Sequence, residues 1–494
     1  MVQFQPVFSR TTIHLTMETG FAGGKVVSRK ALELPMKSKD LSDRLKQMFV
    51  NLLYLFVGFA AGYGLSFLLE PGRVSFITAT IPESGEQIAS TSSLSISFNQ
   101  DVDQNSAEAA FRITPAFPGD FSWEGNTLVF SPSNPFAENQ RYQLSLSTEV
   151  LSTNSMQSTG PLELQFTIRP ASIIFLHPAD ESSQLWIVPS PYLPENAFQL
   201  TSTAGSVVDY TSAQDGSFLV YLAQNTEGLY SLWYLSPHSR EEKLLQDFGT
   251  ARCSFPTLSP QGNKVAFLRI SPTDDTEVDN GLWILDIESG ASTHLLSENA
   301  DQWDMPAWSP DGTKLAFADA GIPGIRFLDV STGKEEVLAS SMGTSGSWSP
   351  DSALYLYSDL AMVRSQALGS IYQADLVGKS IKTLFPSEDS MNSYRVPVFS
   401  PDRSWLLAGV HNRSTGPGYQ LVLYSYPDLE SHQITFEPDY THGAMSWHPS
   451  SRAFLFQKVE NLNPDATPSI WLYNLESDST MLIFENAFLP GWLP

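Results

Sequence analysis

Pro306-Ala307-Trp308-Ser309-Pro310-Asp311-Gly312-Thr313-Lys314-Leu315-Ala316-Phe317 is the stretch that decides how this chain folds. An apolar residue ends one strand and a serine opens a turn. Pro presets φ for the turn's second residue, Asp can bond neighbouring amides, and Gly takes the φ > 0 position before the next strand. The string recurs in worn copies: Leu258-Ser259-Pro260-Gln261-Gly262, Trp348-Ser349-Pro350-Asp351, Phe399-Ser400-Pro401-Asp402, Trp447-His448-Pro449 and Trp492-Leu493-Pro494. An earlier copy is blurred at Ser212-Ala213-Gln214-Asp215-Gly216. With 212, 259, 309, 349, 400, 448 and 493 as the serine positions, the spacings are 47, 50, 40, 51, 48 and 45. A proline stands three residues earlier in four copies, at Pro256, Pro306, Pro397 and Pro490.

Each turn leads into an apolar second strand, as at 264–268, 314–318, 354–357, 405–408 and 453–456. A third strand recurs at 232–235, 282–285, 325–328, 421–424 and 470–473, and a short fourth strand follows a further turn. Four strands in a tandem unit of about 47 residues make a propeller blade. Segments 173–176, 185–188 and 198–201 read as second, third and fourth strands lacking a first. Residues 489–494 read as a first strand lacking the other three, so the two ends are expected to close one composite blade and leave no open edge. Six whole blades plus this one predict seven, or six or eight if the blurred copy is misplaced.

The motif resembles the WD40-like, TolB-type β-propeller repeat, close to P-x-W-S-P-D-G-x-x-[IL]-A-F, which residues 306–317 match almost letter for letter. The resemblance spans about 171–494 and implies the fold. For function it implies only a wide class, since such repeats serve as scaffolds, sensors and regulatory domains of serine peptidases. The peptidases add a hydrolase domain after the propeller; this sequence stops on the closing strand and carries no G-x-S-x-G elbow.

Ahead of the propeller, short segments at 74–80, 93–98, 109–113, 121–123, 127–130, 142–146 and 164–168 predict a seven-stranded sandwich over 74–169. Its wording resembles the bacterial Ig-like domain of the S-layer (SbsA) type, with Phe98, Val102 and Asp103 matching that family's F-x-x-x-[VM]-D edge. Phe98, Trp123, Phe130 and Tyr142 are expected between the sheets, and the resemblance implies a spacer or adhesive module. The whole chain is thus expected to be all-β apart from one segment.

That segment is 47–69, 23 residues without a charge, long enough as a helix to cross a ~30 Å hydrocarbon core. Lys37, Lys39, Arg44 and Lys46 precede it and only Arg73 follows closely, which predicts a cytoplasmic N-terminal stub (1–46) and extracytoplasmic residues beyond it, at a bacterial-type membrane. A signal peptide starting at Met36 and cut near Ala60–Gly62 is the rival reading, but the apolar run continues past that cut to Leu69. The 494 residues carry 28 Lys+Arg against 53 Asp+Glu, and the stretch from 70 onward has 20 against 49. Such acidity excludes nucleic acid as a partner. Hydrophobic content of 42% excludes a disordered chain, and a single cysteine, Cys253, excludes an internal disulfide.

None of the eight histidines forms a zinc motif. His448 stands in a serine slot, the four tryptophans 308, 348, 447 and 492 share one slot and read as blade packing, and Cys253 reads as a small buried hydrophobe. The acidic insert with Asp274, Asp275, Glu277 and Asp279 lacks EF-hand spacing. No cofactor, metal or catalytic residue is expected. Residues just ahead of the innermost strands are expected to line the channel mouth: Arg252, Asp304, Tyr394, Arg395 and His442. Their mixed charge suits a peptide or a small polar ligand, and a membrane-anchored binding protein with a protein or peptide partner on the propeller face is the leading expectation. An envelope enzyme working on a glycan or peptide in the channel is the alternative.

Overall fold

The computed structural model describes residues 77–494 apart from 148–149, 152, 154–161, 272–279, 297–302, 320–322, 386–390 and 413. The expected membrane segment, the N-terminal stub and the acidic insert lie outside the described residues. Among the described residues, no helix is long and apolar enough to cross a membrane.

Residues 77–168 form two four-stranded sheets. One orders Ile77–Ile81, Leu94–Phe98, Thr127–Pro132 and Gly119–Glu124; the other orders Gln87–Ile88, Leu162–Ile168, Arg141–Leu146 and Phe111–Thr114. Alternation puts Leu94, Ile96 and Phe98 of one sheet against Leu144, Leu164 and Phe166 of the other, all in one core with Phe130 and Tyr142. Trp123 packs on that core half-buried. The expected strand at 109–113 is corrected: a helix, Gln104–Ala110, comes first and the strand starts at Phe111. Asp103, expected at a family edge, caps this helix by accepting a hydrogen bond from the Ser106 amide at 2.9 Å. The strand Gln87–Ile88, paired in parallel with Leu162–Ile168, makes eight strands in place of the expected seven.

Seven four-stranded sheets follow. Their innermost strands are Ser206–Ser212 (blade 1), Arg252–Leu258 (blade 2), Trp303–Trp308 (blade 3), Ser347–Trp348 (blade 4), Asn392–Phe399 (blade 5) and Tyr440–Trp447 (blade 6). Blade 7 is composite: Phe488–Leu493 pairs with Ser172–His177, which continues to Gln184–Val188 and Phe198–Gln199. The two ends of the propeller therefore close one sheet, as the repeat predicts. Second strands such as Leu219–Gln224 are buried almost throughout because sheets cover both their faces. Outermost strands such as Glu242–Asp247 and Glu335–Ala339 face water and carry the charge.

The repeat's residues act as the turn chemistry requires. The Ser309 hydroxyl donates to Asp311 Oδ1 (2.6 Å) and accepts from the Lys314 amide (2.9 Å), while Asp311 also accepts from the Thr313 amide (2.9 Å). Ser349 and Ser400 repeat the arrangement with Asp351 and Asp402. The first copy needs a correction of one residue. The Ala213 amide bonds the Phe218 carbonyl and the Gly216 amide bonds the Ala213 carbonyl, so Ala213, not Ser212, fills the serine slot. The shared tryptophans staple neighbouring blades. The indoles of Trp308, Trp348 and Trp492 donate at 3.1 Å to the carbonyls of Thr257, Ala307 and Ser446, each on the preceding inner strand.

The sandwich rests against the turn side of the propeller. Only Arg169, Pro170 and Ala171 separate its last strand from the first strand of the propeller. The Arg169 guanidinium donates to the carbonyls of Pro494 (2.9 Å) and Asp215 (2.9 Å). Thr91 bonds the Gln214 carbonyl, and Glu138 accepts from the Ala171 amide at 2.8 Å. His448 departs from the serine of the repeat for a reason: its Nε2 lies 3.1 Å from Glu138 Oε1 while its Nδ1 keeps the turn through Ser450. A freely swinging spacer is therefore not what these residues build.

Candidate functional site

A closed ring of blades leaves an axial channel walled by the inner strands. Five of the seven inner strands carry a kink at a fixed place. Phe255, Met305, Val396, Ala444 and Leu489, each four residues before the serine slot, all lie at positive φ between 26° and 55°. The pairing register breaks at the same places, a β-bulge that turns the side chain out of the sheet. Non-glycine residues in this region cost of order 1 kcal/mol each, and a β-branched one such as Val396 is an outlier. The kinks leave Met305, Val396 and Leu489 exposed by 54%, 49% and 36%. Phe255 instead packs half-buried against the blade 2–blade 3 core.

The expected site residues fare unequally. Tyr394 and His442 occupy a slot two residues before the kink, where side chains enter the blade core with Cys253 and Ala487. Tyr394 stacks on Phe385, centroids 4.9 Å apart. His442 is 1% exposed; its Nδ1 sits 3.0 Å from the Tyr419 carbonyl and its Nε2 3.5 Å from Glu437. Burial pulls its pKa below the ordinary histidine value despite those acceptors, so the ring is neutral near pH 7. Neither residue lines the channel mouth, because strand alternation aims it inward. Arg395, one residue further on, takes the other face and lies over the Tyr419 ring, 3.6 Å from its centroid. Arg252 is exposed at the start of the blade 2 strand. Asp304 stands on the blade 3 strand beside the kink. Arg395 and His442 thus meet through Tyr419, whereas Arg252 and Asp304 belong to other blades.

Sequence reasoning missed the kink residues and Asp209. Blade 1 places Asp209 four residues before its serine slot, where five of the other blades hold an apolar side chain and blade 4 holds Ser345. Asp209 lines a cleft of about 660 Å³ formed by the inner strands of blades 1, 6 and 7 with Thr91 and Pro135 of the sandwich. Its Oδ1 accepts from the Tyr210 amide at 2.8 Å. Burial pushes its carboxyl up to about 6, and that amide only partly opposes the effect. Neighbouring Tyr210 and Cys253 are neutral, both pushed up by burial. The signal available in sequence was the residue before the motif proline, which is apolar at 255, 305, 396 and 489. Among the described residues no group of three or more His, Cys, Asp or Glu side chains is placed to hold a metal ion.

The two-sheet sandwich with its capped helix is the observation that decides the N-terminal part. Residues 74–168 match the bacterial Ig-like domain family. No curated protein matches the sequence. Among solved structures, the chain is similar to TolB from Acinetobacter baumannii, at 10% identity and TM-score 0.40, over 78% of this chain and 83% of that one. It is also similar to the β-propeller domain of the trilobed protease from Pyrococcus furiosus, at 15% identity and TM-score 0.43, over 56% and 84%. Oligogalacturonate lyase from Vibrio parahaemolyticus aligns at 13% identity and TM-score 0.42, over 64% and 86%. The neighbours are TolB-type and other β-propeller proteins, and they include enzymes. Beside them, the Ig-like domain and the closed seven-bladed ring stand on this chain's own strand pairing.

Proposed function

We propose that this chain is a binding protein that seats a polypeptide partner against the channel wall of its propeller, tethered to a membrane through residues 47–69 with the described domains outside the cytoplasm. One observation carries the reading. Met305, Val396 and Leu489 hold apolar side chains in water at backbone angles that cost free energy, in three blades and in the same slot. Strain kept at repeated exposed positions is the mark of a surface under functional constraint. Apolar groups ringed by polar strand ends suit a buried anchor within a polar rim, with Arg252 and Arg395 as rim cations. The basic flank before residue 47 supports the orientation.

The test is capture from native membranes with the detergent-solubilised full chain as bait, compared with a variant carrying Met305→Gln, Val396→Thr and Leu489→Gln. A partner retained by the wild type and lost from the variant is expected. The same partners on both baits would overturn the reading.

A further inference from the structure

The cleft between the Ig-like domain and blades 1, 6 and 7 has a chemistry of its own. Blades 1, 6 and 7 supply most of its wall, Pro401 of blade 5 adds to it, and the docked domain supplies its rim through Thr91 and Pro135. The contacts of Arg169, Glu138 and His448 that dock the domain hold the two sides of the cleft together. Within it, Trp447 and Trp492 offer aromatic surface and Leu489 an apolar one. Asp209 is the one acidic side chain in the lining.

Asp209 is unusual in what it lacks. Oδ1 accepts one hydrogen bond, from the amide of the next residue, and Oδ2 accepts none among the described residues. Among the described residues no lysine, arginine or histidine pairs with it, and burial and the Tyr210 amide are what act on its ionisation. A half-buried carboxylate without a counter-ion is costly, and the ordinary remedy inside proteins is a hydrogen-bonded cation. The six other blades place Phe255, Met305, Ser345, Val396, Ala444 and Leu489 in the corresponding slot, so the packing of a blade does not require an acid here.

We propose that this cleft is a binding site for a primary ammonium group on an extended apolar stem, with Asp209 as its counter-ion and the cleft's tryptophans and Leu489 against the stem. The missing cation is supplied by the ligand, and Asp209 Oδ2 is the free acceptor that receives an ammonium N–H. A stem of several methylenes matches the apolar part of the wall, where Met445, Trp447, Leu489, Trp492 and the prolines lie beside this carboxylate, Gln214 and a few hydroxyls. The formal charge of −25 draws cations towards the chain and makes their association sensitive to salt. A lysine side chain of a polypeptide and a free aliphatic diamine share this chemistry. The proposal rests on the binding role above but not on the collar residues Met305 and Val396.

Titration of the full chain in detergent with cadaverine, and separately with the blocked tripeptide N-acetyl-Ala-Lys-Ala-amide, tests it by calorimetry and by tryptophan fluorescence. At least one amine is expected to bind saturably and shift the emission, 1-pentanol is expected to do neither, and Asp209→Asn is expected to weaken binding at least tenfold. Tighter binding of the tripeptide would identify a polypeptide source, and tighter binding of cadaverine a free amine. Thermal unfolding of Asp209→Asn verifies its fold, and Asp209→Glu, which keeps the charge, is expected to retain binding within a few-fold. Absence of saturable binding by both amines, or equal affinity in Asp209→Asn, would overturn the proposal. If amine binding fails while partner capture survives, this inference alone falls; if capture fails and amine binding survives, the collar reading falls.

Discussion

At the scale of single residues, the repeat slot decides what a side chain can do. Trp308 and Trp447 share a slot, yet Trp308 donates to the Thr257 carbonyl while Trp447 Nε1 is buried with no acceptor among the described residues. Replacing Trp308 by Phe is therefore expected to cost about 1–3 kcal/mol, and Trp447→Phe distinctly less, because only the former breaks a made bond. Chemical denaturation of the two variants checks this; equal costs would contradict the stapling account. Val396 offers a second test. Glycine adopts its φ of 50° freely, so Val396→Gly is expected to leave stability unchanged or raise it by up to about 1 kcal/mol while weakening partner capture. Asp209 offers a third. Its folded value of about 6 lies above the ordinary aspartate value near 3.9, so its ionisation opposes folding: the penalty is absent below pH ~4 and complete above pH ~6. Asp209→Asn is expected to be more stable than wild type by about 1–3 kcal/mol at pH 7.5, with no gain at pH 4. A gain that does not vary with pH would contradict the assignment.

At the scale of elements, the junction between the Ig-like domain and the propeller rests on a few polar contacts. Glu138 feels burial that raises its pKa, but the hydrogen bonds from His448 and the Ala171 amide outweigh it and hold the carboxyl below the ordinary value. Its contribution is present above the unfolded value near 4.3 and lost as pH falls through the folded one. Protection of the Ala171 amide from hydrogen exchange, relative to its intrinsic rate, is expected to fall in the wild type as Glu138 protonates and to be weak at all pH values in Glu138→Gln with His448→Ser. The blades themselves were legible in the sequence because a Ser-Pro-Asp-Gly turn is local chemistry: the residues that make the bonds lie within five positions of each other. The Ig-like strand at 109–113 was misread because Asp103 caps a helix that short-range alternation does not reveal. His442 and Tyr394 were misplaced for another reason: strand alternation across a bulge depends on register, which repeat spacing does not fix. The kinked collar is a backbone conformation, invisible in residue types apart from the proline that follows it.

At the scale of the whole molecule, blade 7 makes the ring one cooperative object. Gly491 sits where an added Cβ would meet the Tyr210 hydroxyl at 2.8 Å, and that hydroxyl lies 2.6 Å from the Leu489 carbonyl, so the closing strand is gripped by blade 1 as well as by its own sheet. Removal of 488–494 would bare the edge of Ser172–His177, and a bare edge strand pairs with other chains. Light scattering is expected to show self-association of the shortened chain and calorimetry a broadened transition. A monomeric protein with an unchanged transition would contradict the closure account. The central claim is that the kinked apolar residues on the channel wall meet a polypeptide partner. It is tested most directly by placing a photo-crosslinking amino acid at Met305, with Val377 as control. Val377 is 82% exposed at a turn between the third and fourth strands of blade 4. Irradiation of native membranes is predicted to give a discrete cross-linked partner from position 305 and none from 377. No adduct at 305, or the same adducts at both positions, would contradict the account.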